Sequence, residues 1–210
     1  MMGRGLFIVL EGTNRTHKHN FAQILKSQLK KKTGQEIDVG RTKHRTSAVC
    51  PILSNYLQGY VNPPDQIVHH LFSVDRWRLS YRLQYLLNKG HTVILQRYVA
   101  TGHAYTIANG RLDLEWCKQF DTGLLKPDVL IYLERDPLTQ ESVFDDPDIY
   151  ENPEMQNKII NQFNQLKEPE WLTVNISKSN PQQALEQVLP TIMEKLRQAL
   201  EGELEFAYYD

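Results

Sequence analysis

Cysteine is scarce in this sequence: Cys50 and Cys117 are the only two among 210 residues. Two cysteines cannot build a disulfide framework and their placement makes no metal motif, which fits a reducing compartment. Long apolar runs are missing as well. No stretch reaches the length of a bilayer-spanning helix, and the N-terminus lacks the pattern of a signal peptide. Nor is there an excess of one charge: 24 Lys and Arg stand against 25 Asp and Glu, a formal net charge of −1. That balance argues against a broad nucleic-acid or membrane surface. The one basic run, Lys30-Lys31-Lys32, reads as the solvated end of a helix. These absences lead us to expect an intracellular protein, cytoplasmic or nuclear, with neither nucleic acid nor membrane as a partner. The length suits one α/β domain over residues 1–210 with a sizeable core. No internal repeat or linker divides it.

What is present begins with Gly5-Leu-Phe-Ile-Val-Leu-Glu11, whose unbroken apolar run is the pattern of a strand buried on both faces of a parallel sheet. The next residues, Gly12-Thr-Asn-Arg-Thr-His-Lys-His-Asn20, keep the frame of a phosphate-binding loop, G-x-x-x-x-G-K-[ST]. Gly12 and Lys18 stand where the first glycine and the lysine belong. His17 takes the place of the second glycine, and His19 that of the hydroxyl residue. Such a loop turns backbone N–H groups around a triphosphate at a helix N-terminus. Its second glycine commonly adopts a conformation that a Cβ disfavours by roughly 1–2 kcal/mol. His17 is therefore expected to be strained, or the loop to take another shape. On this stretch alone, a chance Gly and Lys in an ordinary strand–turn–helix remains an alternative.

Strands alternate with helices along the rest of the chain. Helical spacing runs from Asn20 to about Lys32, through Ile52–Leu57, from about Asp65 to Asn88, from about Pro153 to Leu166 and from about Gln182 to Leu200. Further strands are expected at Gln35–Val39, His91–Gln96, Asp128–Leu133 and Trp171–Ile176, with a mixed loop and helix over residues 99–123. The fold class is accordingly α/β, a parallel sheet of about five strands with helices on both faces. Residues from about 136 to 148 are acidic, contain two prolines and lack periodicity, the composition of a flap.

In order and spacing, several segments resemble one family, the thymidylate kinases, particularly those of eukaryotes and fungi. They are Leu71-Phe-Ser-Val-Asp-Arg-Trp77, Gln96-Arg-Tyr98, Trp116-Cys-Lys-Gln119, Gly123-Leu-Leu-Lys-Pro-Asp128 and Tyr150-Glu151, beside the opening Met-Met-Gly-Arg-Gly. The resemblance covers roughly residues 3 to 200. It implies the nucleoside monophosphate kinase fold of the P-loop NTPase type, and transfer of a phosphoryl group from ATP, with Mg²⁺, to dTMP. By that resemblance Phe72 stacks on the base, Arg76 and Arg45 meet the substrate phosphate, and Tyr105 and Tyr150 lie around the nucleoside. Arg97 reaches the phosphates, and Arg15 and Lys18 serve the transfer. Gly12, Thr13, Thr16 and Lys18 would hold the ATP phosphates.

The transfer side departs from the family pattern. Asp in D-R-Y is here Gln96, the loop carboxylate that contacts the sugar hydroxyl is Asn14, and F-P-E-R-S-T has become Thr42-Lys-His-Arg-Thr-Ser47. Mg²⁺ prefers oxygen ligands, so His19 and Gln96 both remove expected metal contacts. His17, His19 and His44 could offer three imidazoles to a transition ion, but side chains at i and i+2 of a helix start point apart, and no metal site is assigned. The expectation is an impaired paralogue that keeps a dTMP site, binds dTMP more readily than ATP, and forms a homodimer or a heterodimer with an active relative. A working dTMP kinase and a partner protein that binds no nucleotide are the alternatives.

Overall fold

The computed structural model describes residues 3–14, 16–42, 50–136, 148–176 and 180–210. Five parallel strands are β1 Phe7–Glu11, β2 Ile37–Arg41, β3 Thr92–Gln96, β4 Val129–Glu134 and β5 Leu172–Asn175, in the order β2-β3-β1-β4-β5. The helices are α1 Lys18–Thr33, α2 Cys50–Leu57, α3 Asp65–Asn88, α4 Val99–Ala108, α5 Leu114–Lys118, α6 Pro153–Leu166 and α7 Pro181–Leu200. The bounds of α3 and α6 are those expected from the sequence. The expected flap lies, apart from its ends, outside the described residues. Among the described residues no helix is long and apolar enough to cross a membrane.

β1 is fully buried because it is paired on both edges and covered on both faces. Its register sets Val9 beside Leu95 on β3 and beside Leu130 on β4. Side chains alternate across a strand, so Phe7 and Val9 enter one core with α3, α4 and α6, while Ile8 and Leu10 enter a second with α1 and α7. Lys30, Lys31 and Lys32 form the exposed last turn of α1, where cations complement the negative end of the helix dipole. Strand order reverses at β1, between β3 and β4. In open α/β sheets the crevice outside the carboxyl ends at such a reversal receives ligands.

A buried ion pair fastens the opposite end of β1. Arg4 donates from Nη1 and Nη2 to the two oxygens of Asp128, at 2.7 and 2.6 Å, and from Nη2 to the Glu205 carbonyl. Asp128 Oδ2 also accepts the Phe7 N–H. The chain's last residues therefore lie against the start of its first strand. Tyr208 bridges Leu125, Tyr209 exchanges backbone hydrogen bonds with Gly123 and Leu124, and Phe206 lies under the Arg4 guanidinium. Removing one member of a buried pair leaves an uncompensated charge, so Arg4→Ala should destabilise the protein by about 3–5 kcal/mol. Urea unfolding checks this: a loss below 1 kcal/mol, the range of an exposed pair, would show that the pair is not holding the strand.

Candidate active site at the end of the central strand

Glu11, the last residue of β1, is fully buried. Its carboxylate accepts the Tyr98 and Thr101 N–H groups at 3.0 and 3.2 Å and the Thr101 hydroxyl. It thus caps α4 from another strand and favours the positive end of that helix. Burial raises its pKa, while the Thr101 hydrogen bonds and the Arg97 charge act to lower it. Arg97, between β3 and α4, is held in the left-handed region at φ 62°.

In the loop after β1, both positions that the motif gives to glycine have positive φ. Gly12 is required there: at φ 140°, a Cβ would meet the Leu133 carbonyl at 2.7 Å. His17 caps α1 in the left-handed conformation (φ 49°, ψ 29°), with no side-chain cap. Histidine is one of the few non-glycine residues that enter this region with any frequency. His17 thus carries the strain expected at the second glycine position. The first turn of α1 has no acidic residue, so its free N–H groups and positive dipole end face the loop unneutralised.

Lys18 is buried and turns back into the loop, donating to Gly12 O at 3.0 Å, Thr13 O at 2.5 Å and Thr16 Oγ1 at 2.7 Å. Burial, together with the charges of Arg97 and Arg135, holds this ammonium well below the ordinary lysine range, with Glu11 pulling the other way. Thr13 Oγ1 is buried with no hydrogen-bond partner among the described residues. A cationic pocket with unused donors suits phosphate oxygens. At the two positions where the family pattern puts metal-binding oxygens stand His19, whose side chain is exposed, and the neutral amide of Gln96.

Beside the loop, Asn14, Phe72, Arg76, Arg97, Tyr105 and Tyr150 line one cavity of about 130 Å³. Six residues singled out in the sequence are thus brought together from four separate segments. Arg15, Arg45 and His44 lie outside the described residues, and so does any test of the imidazole trio. Asn14 is the hub of the cavity's rim. Its Oδ1 accepts from Arg97 Nη2 and from the Tyr105 hydroxyl at 2.9 Å, and its Nδ2 donates to Glu151 Oε1 at 2.9 Å. Arg97 can only donate, so this orientation of the amide follows from its neighbours. The Arg97 guanidinium also lies 5.2 Å from the Tyr105 ring centroid. Gln156, fully buried, receives the Asn14 N–H and donates to the Tyr150 carbonyl, joining the loop to the segment before α6.

Several members of this site escape a reading of the sequence. Glu151 sits in a quoted motif and Asp121 between two of them, and the partners of both lie far along the chain. Asp65 lines the same cavity, and its Oδ2 is buried without a hydrogen-bond partner among the described residues. Behind the cavity His69, His103 and Asp121 bring ligand atoms within 4.8 Å of one another. They do not fit a metal ion. His69 Nε2 faces the Cys117 carbonyl at 3.2 Å and so carries its proton there, and Asp121 is already gripped by Arg76. Burial holds His69 near pKa 4 and lowers His103, so both rings are neutral at physiological pH.

The geometry at Asn14 makes a direct prediction. An aspartate there would set a carboxylate oxygen against Glu151. Asn14→Asp should therefore destabilise the fold by roughly 1–3 kcal/mol, the range for a buried polar group that loses its partner. Adding Glu151→Gln should restore most of it. Urea unfolding of the two variants decides, and a single variant as stable as the parent overturns the argument.

A family model described as thymidylate kinase matches residues 10–188. The thymidylate kinase of Schizosaccharomyces pombe is 35% identical over 185 residues, covering 84% of this chain and 86% of that protein. That of Homo sapiens is 34% identical over 181 residues, covering 84% of each. Among solved structures, a thymidylate kinase from Candida albicans superposes with a TM-score of 0.80 at 27% identity, over 99% of this chain and 96% of that one. The loop at the strand reversal, the cavity beside it and the match across most of the sequence lead to one conclusion: the chain belongs to the thymidylate kinase family.

Proposed function

We propose that this protein binds dTMP in the cavity beside the loop and that its phosphoryl transfer from ATP is impaired. The observation that carries the reading is the contrast between the two sides of the site. The monophosphate side has an aromatic face at Phe72, an Arg97 fork fixed by Asn14 and Tyr105, and the Tyr150 wall. The transfer side has its lysine folded onto its own loop and no anionic oxygen at positions 19 and 96.

In this reading the base lies against Phe72, and Arg97 grips the monophosphate. Arg76 is better matched to the base than to the phosphate that the resemblance suggests. It follows Phe72 by one helical turn, and its charge is already compensated by Asp121. Asp65 Oδ2 offers an acceptor to a ligand N–H or hydroxyl. The ATP phosphates would meet the backbone N–H groups from Gly12 through Thr16 and Lys18, with Arg15 as a further cation. Phosphoryl transfer depends on positioning and on charge stabilisation. Losing one preorganised electrostatic group lowers a rate by about 10²–10³, by analogy with a removed oxyanion donor, and such losses need not add.

Calorimetry tests the ligand order. dTMP should bind more tightly than ATP–Mg²⁺, and Phe72→Ala should weaken it by the roughly 1–3 kcal/mol of a base–aromatic stack. A coupled assay of dTMP-dependent ADP formation tests the impairment. His17→Gly with His19→Thr and Gln96→Asp should raise the rate by at least about a hundredfold, equivalent to some 2.7 kcal/mol at the transition state. A parent turning over at about 1–100 s⁻¹, the ordinary range of kinases, would instead establish a working dTMP kinase.

A second reading concerns association. Ile67, Val74, Trp77, Tyr81 and Tyr85 form an exposed stripe along α3 at helical spacing, with Tyr81 82% exposed, and Ile52, Tyr60 and Val61 are exposed nearby in the chain. A homodimer through α3 would bury this stripe against itself across a two-fold axis. Light scattering should give twice the chain mass, and Val74→Glu with Tyr81→Glu should give the monomer. A parent that is monomeric at tens of micromolar and dimerises only with an active relative would assign the stripe to a heterodimer.

A further inference from the structure

Asp121 is the most heavily engaged carboxylate behind the substrate cavity. Its Oδ1 accepts from Arg76 Nε and Ser73 Oγ, both at 2.9 Å. Its Oδ2 accepts from Arg76 Nη2 at 2.8 Å and from His103 Nε2 at 3.0 Å. All four residues are buried. A carboxylate only accepts, so His103 carries its proton on Nε2. α4 passes so close that a Cβ at Gly102 would sit 2.3 Å from Arg76 Nη1. The guanidinium is thus clamped on one side by a carboxylate with both oxygens doubly used, and on the other by a bare helix backbone.

The clamp has two faces. Arg76 lines the substrate cavity, whereas Asp121 and His103 line a second cavity of about 380 Å³ beyond α4. Nothing in the phosphoryl-transfer chemistry uses His103. We infer that His103, acting through Asp121, is a positioning residue that holds Arg76 as a fixed, charge-compensated donor toward the base, so that the pocket takes a pyrimidine presenting a carbonyl and rejects one presenting an amino group. The inference rests on the dTMP reading above.

The physical case has three parts. A guanidinium paired in two prongs cannot swing without breaking both bonds, so the N–H groups left over point where the pair directs them. Compensated by Asp121, the same group is a hydrogen-bond donor with little net charge to offer a phosphate, which suits a neutral carbonyl. An amino group set against a fixed donor leaves both hydrogens unpaired in a buried place, the kind of mismatch by which polar sites discriminate strongly. His103 enters because Oδ2 has to satisfy two donors. Without the imidazole this oxygen is short of a partner, and the carboxylate is free to turn and carry Arg76 with it. The depressed pKa of Asp121, which Arg76 and His103 bring to about 2 against the effect of burial, agrees with a carboxylate satisfied on both oxygens.

The test compares dTMP with dCMP, which carries an amino group in place of the 4-carbonyl, by calorimetry on the full chain. The parent should prefer dTMP. His103→Ala should compress that preference by about tenfold or more, as expected when a hydrogen bond to a charged group is lost. His103→Gln, which keeps a donor near Nε2, should retain it. Because His103 borders the second cavity, imidazole added to His103→Ala has a route to the vacated position and should restore the preference. ATP affinity should not change in any of them. If His103→Ala fails to fold, Ser73→Ala carries the test, with a smaller compression expected from the loss of one bond on Oδ1. Equal weakening of dTMP and dCMP, or an unchanged preference, overturns the positioning role and leaves the dTMP reading standing. A parent that binds neither nucleotide overturns both.

Discussion

Much of this site depends on one buried carboxylate. Glu11 ends the central strand in a position from which water is excluded, and a carboxylate there must be satisfied by the protein. It is satisfied by the start of α4: two backbone N–H groups and the Thr101 hydroxyl. That single arrangement fixes the strand against the helix that follows β3. It also fixes the sharp backbone turn at Arg97, and through it the direction in which that arginine leaves the sheet. α4 in turn supplies Tyr105 to the cavity, and Gly102 and His103 to the clamp on Arg76. The substrate side of the molecule is therefore built outward from the end of β1.

The phosphate loop shows a different balance. His17 in the left-handed region shows that the backbone of the cradle is set by its surroundings, by the close approach of β4 to Gly12 and by the helix that follows. A side chain with a modest preference against that conformation does not change it. Shape and chemistry separate here: the left-handed backbone at position 17 is kept while oxygen side chains at position 19 and a carboxylate at position 96 are not. Asn14 complicates any view of the substitutions as simple losses. Its amide satisfies Arg97 and Tyr105 on one side and Glu151 on the other, which a carboxylate at the same place could not do.

The alternation of strands and helices could be read from the sequence because its signals are local. Apolar spacing sets the bounds of α3 and α6 without help from distant residues. Five of the six cavity residues were legible for another reason, since they lie in short motifs of fixed spacing; Tyr105 lies in none of them and came from the resemblance alone. The partners of those residues were not legible. Arg76 and Asp121 are 45 positions apart, Asn14 and Glu151 137, and no periodicity or composition links them. The conformation of His17 was foreseeable only as one of two outcomes, because the sequence shows the unfavourable residue but not the packing that overrules it. The stripe on α3 was invisible for the opposite reason. A helix apolar on more than one side looks like core until its neighbours are known.

The sheet order also bears on how the chain is made. β1 comes first of the five strands, yet it lies in the middle of the sheet. Its neighbours start at Thr92 and Val129, and the arginine just before it is fastened by Asp128 and by the carbonyl of Glu205. Until β3 has been made, β1 has no edge to pair with. Until then Leu6–Leu10 is an unpaired hydrophobic strand of the kind that chaperones bind and that aggregates when they do not.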